Sequence, residues 1–383
     1  MSKIFLPNAN KITEGDFLDL LLHMVEQKAS DTYLLSGDFV LMDISGRKEI
    51  VSNVKLTTGC VEKISKKIAG DDAITRINSG EFIDTEYDFK REGKRYRFRV
   101  NLSPSFTNGN TGIQITIREV PVNIPTLEQL KMSKEDSIYK NFFPPQGLVL
   151  VTGPTGSGKS TLMACCIATK VQEEDCHRIF NCYEAPIEFV YDDIEKPSSR
   201  IYQMKVASIK DFSRCISNSL RRKPEVIVVG ESRDRETISA SVEAAQTGHL
   251  VISTSHTTGV AATLRRMIIV FPSNERDGMQ ADILEQLHMI VSQRLLKTID
   301  GKRVAVKEKL VFTKKMKDAL LKIPPLKINI AIRKILEKHN EGLLVEAKKF
   351  LDEGIISEHE YNELAMNLKN DEEDFGELVW MMN

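Results

Sequence analysis

The sequence contains no C-x-x-C pair, and none of its six cysteines stands at ligand spacing from its seven histidines. That leaves no zinc-binding pattern. Cys60, Cys165, Cys166, Cys176, Cys182 and Cys215 read instead as small buried hydrophobes of a chain in a reducing cytoplasm. No apolar run approaches the roughly 18 residues that span a bilayer. The first residues, "MSKIFLPNANKITEGDF", lack the basic-then-apolar order of a leader, so a soluble, non-exported chain is expected. Excess charge is missing as well: 53 Lys and Arg against 54 Asp and Glu leave a formal net charge of -1, and no global basic field. Without a basic-aromatic channel pattern either, direct nucleic-acid binding and a helicase-like motor find little support. What is present is 41% hydrophobic residues over 383 positions, enough for about two or three domains with cores of their own.

The first 120 residues read as a mixed α+β unit. Phe17, Leu20, Leu21, Met24 and Val25 recur at helical spacing between Asp16 and Lys28, and a short strand is expected near Tyr33 to Leu35. Strict alternation follows. In "KRYRFRVN", Tyr96, Phe98 and Val100 oppose Arg95, Arg97 and Arg99; in "GIQITIRE", Ile113, Ile115 and Ile117 oppose Gln114, Thr116 and Arg118. "FIDTEYDF" behaves likewise, which predicts an antiparallel sheet with an arginine-rich face. Pro121 and Pro125 then break the pattern as an interdomain linker would.

From about Phe142, short apolar strands alternate with helices: Leu148 to Thr152, Ser160 to Gln172, Ile179 to Tyr183, Ile209 to Leu220, Val226 to Val229, Thr237 to Thr247 and Leu250 to Thr254. This order predicts a mostly parallel sheet covered on both faces. After about Pro324 the chain reads as helical and charged. Two short helices are expected to break at Gly354, with Ser357 and Glu360 forming a capping box, and the run Asn370 to Glu373 reads as a solvated or disordered patch. The hairpin is either an oligomerisation or partner element or a simple packing extension.

Chemistry enters with "GPTGSGKST", Gly153 to Thr161, which matches G-x-x-x-x-G-K-[ST] between an expected strand and an expected helix. Gly153, Pro154, Thr155, Gly156, Ser157 and Gly158 form the loop, whose backbone N–H groups and following helix N-terminus suit phosphate oxygens. Lys159 is placed to reach the β- and γ-phosphates, Ser160 to ligate Mg²⁺ and Thr161 to sit near the α-phosphate, which points to ATP with Mg²⁺. In "PEVIVVGESRD", Glu231 ends a buried strand and is expected to organise the metal or polarise the attacking water. Glu184 and Glu188, in "YEAPIEFVYDD", end another strand and contact metal or water, or merely cap and pair. His249 and His256 bracket the strand in "TGHLVISTSHTTG", and His256 is the candidate sensor of the γ-phosphate.

Laid end to end, these segments resemble the PilT-like branch of the secretion ATPase superfamily of type II and type IV secretion and type IV pili. "GPTGSGKST" is similar to its Walker A motif, "EAPIEFVYD" to its aspartate box, "PEVIVVGESRDRETISASVEAAQTGHL" to its atypical Walker B and "TGHLVISTSHTTG" to its histidine box. "LLLHMVEQKASDTYLLSG" and "RYRFRVN…GIQITIREVP" extend the likeness over about residues 15 to 315. The resemblance implies an α/β protein: a PAS-like N-terminal domain at 1–120, a linker at 121–139, a RecA-like P-loop ATPase core at 140–325 and a helical C-terminal extension at 326–383.

The resemblance further implies a ring homohexamer that hydrolyses MgATP, with Arg97, Arg99 and Arg118 near the phosphates. It implies a bacterial cytoplasmic protein that meets the inner membrane only through components of a secretion apparatus. Two departures narrow it. "MKDALLKI" stands where retraction motors carry Ala-Ile-Arg-Asn-Leu-Ile-Arg-Glu, and Ala185 stands where the aspartate box has Asp, leaving Glu184 and Glu188 as its acids. Both features resemble the DotB and TraJ group of type IVB secretion and plasmid conjugation. The rival expectations are a pilus-retraction motor and a nucleotide-gated ring scaffold with little turnover.

Overall fold

Strict alternation and continuous apolar runs build two different sheets in this chain. The computed structural model describes residues 13–368 apart from 108, 121 and 207, so the acidic run at Asn370 to Glu373 lies outside the described residues. Two compact units divide the molecule, Met1–Asn123 and Ile124–Asn383.

The first unit opens with helix α1 (Glu14–Glu26), which starts before Asp16 because Thr13 and Asp16 form a capping box. The Asp16 N–H donates to Thr13 Oγ1 at 3.2 Å and the Thr13 N–H to Asp16 Oδ2 at 2.8 Å, satisfying two donors that a helix start leaves unpaired. Strands β1 (Asp31–Leu35), β2 (Phe39–Ile44) and β3 (Arg47–Lys55) follow. Helices α2 (Thr58–Ala69) and α3 (Ala73–Asn78) precede β4 (Ile83–Arg91), β5 (Lys94–Thr107) and β6 (Asn110–Val120). The six strands pair antiparallel in the order β3-β2-β1-β6-β5-β4. Phe98, Val100, Ile113, Ile115 and Ile117 point into a core shared with Leu20, Leu21 and Met24 of α1 and with Val61 and Ile64 of α2. Each such side chain contributes about 1.5–3 kcal/mol relative to exposure, so a charge at Leu20 would destabilise this unit.

The second unit begins with the short helix α4 (Ser137–Lys140) and strand β7 (Gly147–Thr152). Then come α5 (Lys159–Val171), β8 (Ile179–Glu184), β9 (Arg200–Lys205), α6 (Phe212–Ser219), β10 (Val226–Val229), α7 (Arg235–Gln246) and β11 (Leu250–Ser255). Helices α8 (Val260–Ile269) and α9 (Arg276–Gln286) lead to the hairpin of β12 (Leu287–Lys297) and β13 (Arg303–Val311). Sheet order is β13-β12-β7-β11-β10-β8-β9, parallel except for the β12–β13 edge. Leu148 and Leu150 pack with α7, α8 and α9 on one face, while Val149 and Val151 meet Leu162, Cys166 and Ile167 of α5 on the other. Burial on both faces explains why these strands show no alternation. All six cysteines are free, and burial pushes the Cys165 thiol up to about 11.

Helices α10 (Lys314–Leu320), α11 (Ile328–His339) and α12 (Leu343–Asp352) complete the unit, with a last helical stretch at 358–368. The break at Gly354 is real, with φ at 68°. Ser357 Oγ accepts the Glu360 N–H at 3.2 Å as a cap should, but the Glu360 carboxylate takes the Lys297 N–H at 2.9 Å rather than closing a box. A tertiary donor outcompetes the local one, and the hairpin packs through Phe350, Ile356 and Leu364 onto Leu296, Val304 and Val306. No helix among the described residues is long and apolar enough to cross a membrane.

Candidate functional site

A parallel sheet delivers its loops to one end, and here the C-terminal ends of β7, β8, β10 and β11 bring four of the sequence boxes together. Strand β7 is buried throughout and runs into the glycine loop, which then turns into α5. Gly153 has φ at 141°, and a Cβ there would lie 2.3 Å from the Gln293 carbonyl oxygen. Gly158 is left-handed, with φ at 83°, and its Cβ would meet Gln293 Nε2 at 2.7 Å. Neither position tolerates a side chain, for backbone and steric reasons together.

No side chain caps α5 at Gly158, so the N–H groups of its first turn keep the unpaired character that makes a helix start an anion site. Ser160 and Thr161 stand half-buried on that turn, while Pro154, Thr155 and Gly156 are exposed. Ser157 Oγ is buried and has no hydrogen-bond partner among the described residues. An array of orphan donors around a lysine fits a polyphosphate. Lys159 is itself buried and donates to the carbonyls of Gly153 at 2.8 Å and Pro154 at 2.9 Å. Burial pulls its ammonium below the usual lysine value, opposed by the negative charges of Glu188 and Glu231.

The acid at the tip of β10 is held by its backbone. The Gly230 N–H donates to the Tyr183 carbonyl at 2.8 Å, the Gly230 carbonyl accepts Thr254 Oγ1 at 2.5 Å, and the Ser232 N–H reaches the Thr254 carbonyl at 2.9 Å. Neighbouring strands β8 and β11 therefore fix where Glu231 projects. His256, one residue past β11, brings Nε2 to 3.7 Å from Glu231 Oε1 and Nδ1 to 3.3 Å from Thr155 Oγ1. The same Nδ1 lies 3.5 Å from Lys159 Nζ. Loop, lysine, carboxylate and imidazole thus converge within a few ångströms.

The other candidates are placed differently. Glu184, at the end of β8, accepts Gln203 Nε2 from β9 at 3.0 Å. Glu188 is exposed, yet near enough for its charge to act on Lys159. His249 sits at the opposite end of β11 from His256, where Nδ1 faces the Ala244 carbonyl at 3.1 Å and Thr247 Oγ1 at 3.2 Å. A six-residue strand separates the two histidines by roughly 20 Å, so His249 does not join the loop. In the first unit Arg97 is buried despite lying on the polar side of β5, and donates to Glu86 at 3.2 Å. Arg118 pairs with Asp31 at 2.8 Å, and Arg99 is exposed.

Sequence reasoning misses the residues that hold the loops. Gln293 Nε2 donates to the Ser157 carbonyl at 2.5 Å, and adjacent Ser292 Oγ accepts the Gly259 N–H at 2.8 Å. Glu308, opposite Ser292 on β13, accepts the Val260 N–H at 2.6 Å. Burial raises the Glu308 carboxyl above the usual value, offset by that backbone bond. The β12–β13 hairpin thereby anchors both the glycine loop and the segment after His256. The available signal was a polar Ser-Gln pair interrupting the apolar run "HMIVSQRLL".

As for metal, no cluster of three His, Cys, Asp or Glu side chains forms a cage among the described residues. Mg²⁺ needs none, because it keeps waters and binds through phosphates with one or two protein oxygens. Ser160 and Glu231 are the groups suited to supply them.

The family model described as type II/IV secretion system protein matches residues 20–344. The type IV pilus retraction ATPase PilT of Pseudomonas aeruginosa is 36% identical over 300 residues, covering 78% of this chain and 83% of that one. The crystal structure of the ATPase DotB of Legionella pneumophila superposes with a TM-score of 0.85 at 37% identity, covering 96% of this chain and all of the other. A crystal structure of the pilus retraction motor PilT with bound ADP matches with a TM-score of 0.77 at 28% identity, over 92% of this chain and 97% of that one.

Proposed function

Because the chain belongs to the type II/IV secretion system protein family, we propose that it is an ATPase that hydrolyses MgATP as a ring homohexamer and powers a type IVB secretion or conjugation apparatus. The observation that carries the reading is the convergence of Lys159, Glu231 and His256 on an uncapped helix start. Loop residues Gly153 to Thr161 bind the phosphates, and Lys159 leaves its two carbonyl acceptors for the β- and γ-oxygens. Glu231 positions and polarises the attacking water, a role supported by the backbone bonds that tie its neighbours Gly230 and Ser232 to Tyr183 and Thr254. His256, within reach of both Lys159 and Glu231, reports whether the γ-phosphate is present. Mg²⁺ supplies charge neutralisation on the phosphates when bound.

Glu184 and Glu188 serve as supporting acids, and Arg99 and Arg118 as cations from a PAS-like first unit acting on the phosphates of a RecA-like core. Hydrolysis drives one unit against the other and so performs mechanical work on protein or DNA–protein cargo. Docking on the inner membrane runs through partner proteins. Similarity to PilT favours a retraction motor as the second reading; "MKDAL" on α10 in place of the retraction motif favours secretion.

Steady-state phosphate release by the purified chain is the test. The wild type turns over ATP only with Mg²⁺, and Glu231→Gln keeps nucleotide affinity while turnover falls about 100-fold, as expected for loss of a catalytic base. A wild type that binds ATP without turnover would instead identify a nucleotide-gated scaffold. Deleting the gene in its host and scoring cargo export against pilus retraction separates the two motors.

A further inference from the structure

We propose that the segment following α12 is one wall of the nucleoside pocket, so that nucleotide affinity depends on residues beyond 344, where the family match ends. The proposal rests on the nucleotide reading above. A cleft of about 630 Å³ opens at the start of α5, with Gly158 and Thr161 at its edge. Cavities of this size bury most of a ligand as large as a nucleoside. Lys159 Nζ faces His256, and His256 faces Glu231, so the γ end of a bound polyphosphate is set on that side of the loop. The chain of phosphates then leaves past Thr161, and the nucleoside enters the cleft.

Aliphatic side chains line it: Leu130, Leu295, Ile299 and Ile355. Ile299 is 67% exposed, an apolar surface that a purine face would cover. Ile355 comes from the C-terminal hairpin and is stitched in place. The Ile299 N–H donates to the Ile355 carbonyl at 3.0 Å, and Thr298 forms an antiparallel bridge with Ile356. The Lys297 N–H donates to Glu360 at 2.9 Å, so the last residue of β12 and the two residues after it are tied to the segment 355–360. Farther along, Glu346 accepts the Lys307 N–H and keeps its carboxylate 3.9 Å from Lys307 Nζ, which also lies on the cleft. Ile356 is buried against Leu296, Val304 and Phe350, and gives the wall a small core of its own. Gly354, at φ 68°, makes the turn that aims Ile355 inward.

The wall is tested on the full chain by calorimetric titration with ADP and, separately, with inorganic tripolyphosphate, both with Mg²⁺. Ile355→Glu is expected to weaken ADP about tenfold and to leave tripolyphosphate within about twofold, because only the nucleoside touches residue 355. Glu360→Ala, which loosens the tether, weakens ADP about threefold with the same selectivity. Lys159→Ala weakens both ligands. Equal ADP affinity in folded Ile355→Glu and wild type overturns the wall, as does an equal loss for both ligands. A wild type that binds neither ligand overturns the nucleotide reading itself. Should Ile355→Glu fail to fold, Ile355→Ala gives the same comparison with a loss of about threefold for ADP alone.

Discussion

At the C-terminal edge of the parallel sheet, the segments after β7, β10 and β11 bring Lys159 and Glu231 each within 4 Å of His256, whereas the antiparallel sheet lays Arg97, Arg99 and Arg118 side by side across two strands, Arg99 directly opposite Arg118. Both sheets carry polar residues that composition alone would call functional. Their arrangement differs for a topological reason: parallel strands aim all their following loops the same way, while antiparallel strands send loops to alternate ends and polar side chains to a face. A face offers its charges to its own neighbours first. Arg97 goes to Glu86 and Arg118 to Asp31, while the loops of the parallel edge keep unpaired donors.

The largest effect expected from probing this contrast is at Gln293. Gln293→Ala removes the donor to the Ser157 carbonyl and the side chain that abuts Gly158, so nucleotide affinity should fall about tenfold and stability by about 1–3 kcal/mol. Calorimetric titration and urea unfolding check it, and unchanged affinity would mean that the glycine loop keeps its shape without the hairpin. Next come the two histidines. His256→Ala should lower turnover several-fold, and His249→Ala should leave ADP affinity unchanged while costing about 1 kcal/mol through its lost bond to the Ala244 carbonyl. An equal loss of turnover in both would show that the far end of β11 also reaches a nucleotide.

The arginines complete the series. Arg97→Ala leaves the Glu86 carboxylate without this partner and should cost about 1–3 kcal/mol in urea unfolding. Exposed Arg99→Ala should stay within about 0.5 kcal/mol yet slow turnover. Unimpaired turnover in Arg99→Ala withdraws Arg99 from the chemistry and leaves Arg118 as the remaining exposed cation of that face.

Central strands of the second unit were legible as apolar runs between turn signals, and the helix after the glycine loop was placed to within one residue. Edge strands β9 and β3 were not, although edge strand β4 shows its alternation in "FIDTEYDF". Strand β9, "RIYQMK", and β3, "RKEIVSNVK", are largely exposed and have a single neighbour, so burial imposes no period on them. Arg97 shows the limit of alternation from the other side, since the period assigns it correctly to the polar side of β5 yet says nothing of its burial. Spacing makes Glu360 a local cap because it sees only neighbours in the chain; the actual donor, Lys297, is 63 residues away.

Spacing within the chain determined the glycine loop, the buried strand ahead of Glu231 and the helix that follows Lys159, because each depends on backbone conformation over a few residues. Tertiary structure alone decided how near His256 comes to Lys159 and Glu231 and which carboxamide braces the loop. It also decided which distant segment walls the adjoining cleft. Those outcomes depend on strand order and direction, and strands far apart in sequence become neighbours only through the shared burial that assembles the sheet.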